Sequence, residues 1–350
     1  MDTYSLLKEM KEKDASDLHI ISGIAPSFRI AGQLRSGGGE KITSEQSKSL
    51  ICSLMTEKQK SEFKKNRELD FSLTMEGIGR FRINAHFQQG SVAAAIRRIP
   101  DRVPSLSALN LPQILAHLAL KEKGLILVTG PAGCGKSTTL ATMVEIINEK
   151  RSAHIIIIED PIEYLHCHRK SIIEQREVGA DTLSFAGSLR HSIRQDPDVI
   201  LIGEMRDLET IAIAITAAET GHLVLSTLHT PDAPQAIDRV VDVFPPHQQS
   251  QIRMQLSGTL LGVIAQVLLP RENGEGRVPA VELLIATPAV RNLIRTGKTH
   301  QLYTLMQTGA QFGMQTMDQA LKNLVKRGLI SFEIALSRAK DPKGFQGSLS

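Results

Sequence analysis

The segment GLILVTGPAGCGKSTTLATMVEII, residues 124–147, contains an apolar run, a glycine-rich turn and a helical pattern in direct succession. The turn matches the pattern G-x-x-x-x-G-K-[ST], which binds phosphates where a strand leads into a helix. Its residues are Gly130, Pro131, Ala132, Gly133, Cys134, Gly135, Lys136, Ser137 and Thr138. Glycines let backbone N–H groups close around phosphate oxygens, and the helix N-terminus adds partial positive charge. We therefore predict a nucleotide site, with Lys136 on the β- and γ-phosphates and Ser137 on Mg²⁺; the alternative is a glycine-rich turn with an incidental lysine.

Four further apolar runs accompany this strand and are typical of strands that are buried on both faces of a mainly parallel sheet. They are HIIIIED (154–160), DVILIGE (198–204), GHLVLSTLH (221–229) and VPAVELLIA (278–286). Helical patterns alternate with the earlier runs, so residues 110–287 are predicted to form an α/β domain. Residues 288–350 show only short helical patterns, closed mostly by glycine, and are predicted to form a C-terminal helical region.

The first 100 residues differ in rhythm and are predicted to form a separate α+β domain, residues 1–100, in the order helix, two strands, helix, three strands. Within it, TSEQ at 43–46 has the spacing of a capping box and predicts a helix that continues to about Lys65. Residues 101–109 are predicted to be a linker, since PDRVPS (100–105) contains two prolines and two opposite charges.

Acidic side chains follow two of the predicted strands. Glu204 ends DVILIGE, and Glu159, Asp160 and Glu163 follow HIIII. The carboxyl ends of parallel strands beside a phosphate-binding turn lie where the γ-phosphate and Mg²⁺ would be. Glu204 is therefore predicted to orient or deprotonate the attacking water, although it could instead cap the following segment. Three clustered carboxylates repel each other unless a cation lies among them, and Mg²⁺ with its water shell is the natural candidate.

Two sets of basic residues have less specific patterns. Arg80 and Arg82 share one face of a predicted strand, with Arg97 on a later strand, so they form either a solvated basic face or a set that reaches a nucleotide of a neighbouring domain or subunit. His222 and His229 lie at opposite ends of an apolar run and are too far apart to share a metal ion. His229, at the carboxyl end, is the better candidate to sense the γ-phosphate, whereas His222 is expected at a helix–strand turn or a subunit contact.

Composition argues against several classes of function. A formal net charge of +4 over 350 residues, no Trp and 4% aromatic residues do not favour nucleic-acid binding. The three cysteines are far apart, which predicts a reducing compartment without a disulfide framework. The N-terminus does not resemble a secretory signal, and the longest apolar runs, such as LLGVIAQVLL, are shorter than the roughly 18 residues of a membrane span. We expect a cytoplasmic protein whose membrane association is at most peripheral.

Four motifs together carry a family resemblance. In order, GPAGCGKSTT, IIIIEDPIEY, DVILIGEMRD and TAAETGHLVLSTLHT resemble the Walker A, Asp box, Walker B and His box of the secretion ATPase superfamily. Within it, the chain most resembles the type IV pilus retraction ATPases, the PilT-like twitching motility proteins, and AVRNLIR (289–295) resembles their C-terminal retraction motif. The sequence lacks the four-cysteine metal motif of pilus-assembly and type II secretion ATPases, so no metal cluster is expected and retraction is favoured over extension.

The resemblance implies a RecA-like ATPase core with an N-terminal PAS-like domain, assembled as a homohexamer that uses ATP and Mg²⁺. Such a ring would lie at the pilus base, peripheral to the inner membrane, against an inner-membrane platform protein, and would act on the pilin fibre indirectly. The same resemblance implies that Glu204 and Glu163 are catalytic acids and that His222 and His229 are the His-box residues.

Alternatives remain open from sequence. They are an accessory PilU-like retraction ATPase, another motor of the superfamily, a nucleic-acid motor, and a low-activity nucleotide-binding regulator, the last because Gly203 stands where a typical Walker B has Asp.

Overall fold

The computed structural model describes residues 2–346, which fall into two compact units divided between Arg102 and Val103. This division lies within the segment 101–109, for which the sequence predicts a linker. Each unit buries its own hydrophobic clusters.

The first unit is built on an antiparallel six-stranded sheet with the strand order β3-β2-β1-β6-β5-β4. Its elements are α1 (Thr3–Glu12), β1 (Asp17–Ile20), β2 (Ser27–Ile30), β3 (Gln33–Ser36), α2 (Ser44–Cys52), α3 (Glu57–Asn66), β4 (Glu68–Met75), β5 (Gly79–Gln88) and β6 (Ser91–Ile99). Helices and the inner sheet face share one core that includes Leu7, Leu18, Phe28, Phe81 and Ile96. The α+β prediction for this region agrees with these elements.

Two details of that prediction are wrong. The helix predicted to run from the capping box to about Lys65 is two helices, because a second capping box at Thr56 and Gln59 starts α3 after α2 has ended. The stretch predicted as the second strand is a hairpin of β2 and β3, which turns at Ala31 and Gly32, both with positive φ. In each case a local signal of two to four residues overrides a longer periodic pattern.

The second unit is built on a seven-stranded sheet with the order β13-β12-β7-β11-β10-β8-β9. Its elements up to the last strand are α4 (Ile114–Ala119), β7 (Gly124–Thr129), α5 (Lys136–Lys150), β8 (His154–Glu159), β9 (Ile172–Glu177), α6 (Phe185–Ser192), β10 (Val199–Ile202), α7 (Leu208–Glu219), β11 (Leu223–Leu228), α8 (Ala233–Asp242), α9 (Pro246–Thr259), β12 (Leu260–Pro270) and β13 (Arg277–Ile285). Six strands run parallel and β13 pairs antiparallel with β12.

Alternate side chains of the central strands enter two different cores. Leu125 and Leu127 of β7 belong to one cluster, whereas Ile126 and Val128 belong to the other. Both faces of the sheet are therefore covered, which is why these strands are continuous apolar runs in the sequence. The carboxyl ends of β7, β8, β10 and β11 consequently meet at one edge of the sheet.

The C-terminal part of the second unit is helical. Its elements are α10 (Pro288–Arg295), α11 (Leu302–Thr308), α12 (Met317–Lys326), α13 (Phe332–Leu336) and α14 (Pro342–Gln346), with short 3₁₀ turns at Thr299–Gln301 and Ala310–Phe312. A small core that includes Leu269 of β12, Leu321 and Phe345 attaches the later helices to the β12–β13 hairpin. Among residues 2–346, no helix is long and apolar enough to cross a membrane.

Candidate nucleotide-binding site

The glycine-rich turn lies between β7 and α5, as the sequence predicts. Gly130 follows the last residue of β7, and Gly135, with φ of +89°, is the residue before α5. A Cβ on Gly130 would lie 2.3 Å from the carbonyl oxygen of Gln266 on β12. Glycine at Gly130 therefore allows the turn to pack directly on the neighbouring strand.

Lys136 is buried and extends back across the turn. Its Nζ donates hydrogen bonds to the carbonyl oxygens of Gly130 at 2.9 Å and Pro131 at 3.1 Å. Burial lowers the pKa of Lys136, and the nearby charges of Cys134 and Glu204 oppose this effect. A partly desolvated ammonium group at a helix N-terminus is a strong attractor for phosphate oxygens, because a bound anion restores the solvation that it has lost.

Glu204 lies at the carboxyl end of β10, and its carboxylate is mostly buried. Its Oε2 lies 2.7 Å from Nε of Arg206 and 3.4 Å from Nε2 of His229. The residue that caps the following helix α7 is Asp207, which accepts a hydrogen bond from the backbone N–H of Thr210 at 2.8 Å. The alternative in which Glu204 is a helix cap is therefore wrong.

Gly203 occupies a crowded position between neighbouring strands. Its N–H donates to the carbonyl oxygen of Ile158 at 2.8 Å, and its own carbonyl oxygen accepts from the hydroxyl of Thr227 at 2.6 Å. A Cβ at this position would lie 3.3 Å from the Ile158 carbonyl oxygen and 3.4 Å from Cα of Glu159. An aspartate here would press its side chain against the end of β8, and the carboxylates next to this position are those of Glu204 and Glu159.

A narrow cleft behind the turn brings together Ser137 and Glu159, with Tyr164, His166 and Thr227 on its other sides. Burial raises the pKa of Glu159 to about 8, and the charges of Glu163 and Glu177 add to this effect. Burial and like charge both disfavour the ionised carboxylate, so a cation bound beside Glu159 would favour its ionised form.

The other two carboxylates of this segment are exposed. Neither Asp160 nor Glu163 is among the residues that line the cleft, and Glu163 contributes its backbone N–H as a hydrogen-bond donor to the Glu159 carboxylate. The structure therefore brings Ser137 and Glu159 together, but does not bring Asp160 to them.

The donor set of the cleft fits Mg²⁺. A hydroxyl and a carboxylate are hard oxygen ligands, and Mg²⁺ is commonly bound by one or two protein oxygens while water and phosphate complete its octahedron. The described residues contain no group of three or more His, Cys, Asp or Glu side chains that could hold a metal ion by themselves.

The two His-box residues are separated by the whole of β11, as the sequence predicts. His222 lies before the strand, where its Nδ1 lies 2.8 Å from the carbonyl oxygen of Ala217 at the end of α7. His229 lies after it, exposed and beside Glu204. The first histidine therefore belongs to a helix–strand turn and only the second to the candidate site.

The three predicted arginines belong to the first unit, where their side chains differ in the contacts that they make. Nε of Arg97 lies 2.8 Å from a carboxylate oxygen of Asp17, and Nη1 of Arg80 donates to the hydroxyl of Thr74 at 3.1 Å. Arg82 pairs in register with Arg97 across β5 and β6 and is exposed. Within the part of the chain that the structure describes, Arg82 forms no ion pair or hydrogen bond through its side chain.

A cavity of about 310 Å³ adjoins the turn on the side of Gly135 and Thr138. Leu109, Leu111 and Pro279 give it apolar walls, and Arg271 and Arg277 of the β12–β13 hairpin lie at its rim. An apolar slot with basic residues at its edge, next to a phosphate-binding turn, suits the base and sugar of a nucleotide.

Several residues that support this site were not predicted. The hydroxyl of Tyr164 lies 3.0 Å from that of Thr138, the hydroxyl of Thr129 donates to the carbonyl oxygen of Thr230 at 2.6 Å, and Gln266 is hydrogen-bonded to the turn. All of these contacts join residues at least 26 positions apart. No spacing pattern in the sequence indicates them, although a lone Gln inside the apolar run LLGVIAQVLL is a signal that could have been used.

Comparisons with known proteins by family model, by sequence and by structure agree on one family. A model of the family described as Type II/IV secretion system protein matches residues 3–336. The type IV pilus retraction ATPase PilT of Pseudomonas aeruginosa is 47% identical over 345 residues, covering 99% of this chain and all of that protein. The type IV pilus ATPase PilU of the same organism is 44% identical over 339 residues, covering 97% of this chain and 90% of that protein. A crystal structure of the pilus retraction motor PilT with bound ADP superposes with a TM-score of 0.92 at 49% identity, covering 99% of each chain.

Proposed function

Because the chain belongs to the Type II/IV secretion system protein family, we propose that it is an ATP-hydrolysing motor that powers type IV pilus retraction. The observation that carries the ATPase assignment is the meeting of a phosphate-binding turn, Glu204 and His229 at one edge of the sheet. Retraction is supported by near full-length similarity to retraction ATPases and to the ADP-bound retraction motor.

Binding and hydrolysis are divided among the residues as follows. The backbone N–H groups of the turn and the ammonium group of Lys136 bind the β- and γ-phosphates, and the cavity beside Thr138 takes the base and sugar. Glu204 orients the attacking water and accepts its proton, since its carboxylate is mostly buried yet lies at the phosphate edge. His229, in contact with Glu204, responds to the γ-phosphate, and Glu163 adds a second acid at the rim.

Ser137 and Glu159 would hold Mg²⁺, and the exposed carboxylate of Asp160 would add negative charge near it. Bound there, the ion would neutralise charge on the phosphate oxygens during phosphoryl transfer. The Glu159 carboxylate would favour such a cation, because a positive charge beside it offsets the cost of its burial.

The working assembly is a homohexamer on the cytoplasmic side of the inner membrane, peripheral to it at the pilus base. It pushes against an inner-membrane platform protein and so acts on the pilin fibre indirectly. Each nucleotide is completed by an arginine from Arg80, Arg82 or Arg97, supplied by a neighbouring subunit.

The test of the ATPase assignment is turnover by the purified chain with and without Lys136→Ala. The wild type should release phosphate from ATP and the variant should not, with no stimulation of either by nucleic acid. Full activity in Lys136→Ala would remove the turn from the mechanism, and turnover that depends on DNA or RNA would favour a nucleic-acid motor.

The test of retraction is deletion of the gene in its own organism. Loss of twitching with an excess of surface pili supports retraction, whereas loss of pili would show extension. Retained twitching would instead favour the alternative of an accessory, PilU-like retraction ATPase.

A further inference from the structure

Gln266 of β12 lies behind the phosphate-binding turn and is fully buried, with 2% of its surface exposed. β12 pairs in parallel with β7, and the last matched pair is Ala265 with Thr129. The residue after Ala265 is Gln266, and the residue after Thr129 is Gly130, the first residue of the turn. The sheet register therefore places this amide against the turn.

Both ends of the Gln266 side chain are hydrogen-bonded. Its Nε2 donates to the carbonyl oxygen of Cys134 at 2.7 Å, and its Oε1 accepts from the hydroxyl of Thr139 on α5 at 2.9 Å. A Cβ on Gly135 would lie 3.2 Å from the same Nε2, so glycine at Gly135 leaves the space that the amide fills. The side chain thus connects the turn to the first turn of α5.

From these contacts we infer that Gln266 is a positioning residue that aims a backbone N–H of the turn at the nucleotide phosphates. A trans peptide is planar, so the carbonyl oxygen of one residue and the N–H of the next point in opposite directions. Because Gln266 holds the Cys134 carbonyl oxygen toward β12, the N–H of Gly135 is directed to the opposite side, into the turn. The inference rests on the proposed nucleotide site and adds a residue that does not itself touch the nucleotide.

The first test replaces Gln266 by Met, which is similar in volume and cannot donate a hydrogen bond. Gln266→Met should raise KM for ATP about tenfold, as expected for a buried acceptor left without its donor, while kcat changes much less. The Kd for ADP, measured by calorimetry, should rise by a similar factor. Thermal unfolding of the full chain checks that the variant is folded.

The matched control is Gln315, which also donates through Nε2 to a carbonyl oxygen of the same sheet, that of Val281, at 2.7 Å. Gln315→Met removes a half-buried hydrogen bond of the same type and length away from the turn and should leave KM unchanged. If Gln266→Met keeps the wild-type KM, or if both variants raise KM equally, the positioning role is refuted.

A second variant keeps the inference testable if Gln266→Met does not fold. In Gln266→Glu, a protonated carboxyl can donate to the Cys134 carbonyl oxygen, whereas an ionised carboxylate repels it. The affinity of Gln266→Glu for ADP should therefore increase, relative to the wild type, as the pH falls from 8 to 6. An affinity ratio independent of pH contradicts the inference.

Lys136→Ala in the same assays separates this inference from the proposed function. If Lys136→Ala loses nucleotide binding while Gln266→Met does not, only the role of Gln266 fails. If Lys136→Ala binds ADP normally, the proposed nucleotide site fails as well.

Discussion

The carboxylate of Glu204 lies beside His229 and close enough to Lys136 of the turn to influence its pKa. Glu204→Gln keeps the shape of the side chain but removes the proton acceptor, so kcat should fall by about 10²- to 10⁴-fold while the affinity for ADP stays near the wild-type value. Steady-state phosphate release and calorimetric titration with ADP measure the two effects. Glu209→Gln, an exposed change on α7, is the control and should have normal turnover. Normal turnover in Glu204→Gln would assign the general base to another group.

His166 gives the stability of the fold a predictable pH dependence. Its imidazole is almost fully buried beside Glu145, and burial lowers its pKa, although the hydrogen bond that the ring donates to the Glu145 carboxylate opposes this effect. In the unfolded chain this histidine is protonated near pH 6.5, whereas in the folded chain it is protonated only at a lower pH. The free energy of unfolding is therefore not reduced by His166 above about pH 6.5, and it decreases as the pH falls below that value.

The melting temperature should therefore fall between pH 7.5 and 5.5 by more in the wild type than in His166→Gln. Exposed His247 provides the control, since His247→Gln should keep the wild-type dependence. Differential scanning calorimetry of the nucleotide-free protein at the two pH values makes the comparison. Equal slopes in the wild type and His166→Gln would show that His166 does not contribute.

The sequence predicts those site residues whose chemistry is tied to local spacing. Lys136 and Ser137 follow from one continuous pattern, and Glu204 and His229 follow from the rule that parallel strands end at a common edge. Gln266 could not be placed in the same way, because its partners Cys134 and Thr139 lie more than a hundred residues earlier and become neighbours only through the β7–β12 register.

Helix α8 connects the His229 segment to the C-terminal helices through Asp232. One carboxylate oxygen of Asp232 accepts from the backbone N–H of Gln235 at 2.9 Å, and the other lies 3.1 Å from Nζ of Lys340. Asp232→Ala removes a helix cap and should lower the free energy of unfolding by about 1 kcal/mol. Asp232→Asn keeps a good cap and loses only a half-exposed ion pair, so its effect should be a few tenths of a kcal/mol. Urea unfolding of the two variants tests this order, and equal losses would show that the ion pair dominates.

Strands of the second unit could be predicted where one apolar pattern runs through the whole strand, and were missed where the sequence also fits another kind of element. The predicted apolar runs contain β7, β8, β10 and β11 completely, and they contain β13 except for its first residue, Arg277. β9 was missed because it is an edge strand whose sequence, IIEQRE, has four polar residues out of six. β12 was missed because a long apolar run that follows a helix directly cannot be assigned to helix or strand by periodicity alone.

At the scale of the whole molecule, the residues predicted to take part in catalysis belong to two different units. The turn, Glu204 and His229 belong to the second unit, whereas Arg80, Arg82 and Arg97 belong to the first. The sequence predicts this division from the change in strand and helix rhythm. The sequence does not show which of the three arginines is free to reach a nucleotide, because that depends on their partners in the folded sheet. Arg97 pairs with Asp17, and Arg80 donates to Thr74.

Arg82 is therefore the arginine that we expect to complete the site of a neighbouring subunit. Arg82→Ala and Lys136→Ala should each abolish ATP turnover, since one lacks the trans group and the other lacks the phosphate lysine. When the two variants are mixed equally and reassembled, roughly a quarter of the sites in a closed ring combine an intact turn with an intact neighbouring Arg82, so partial activity should return. Mixing Lys136→Ala with the double variant Arg82→Ala, Lys136→Ala is the control and should restore nothing. If no ratio of the single variants restores turnover, Arg82 either acts within its own subunit or belongs to a solvated basic face. If a mixture of Arg97→Ala with Lys136→Ala restores turnover instead, the ion pair between Arg97 and Asp17 must open when the ring assembles.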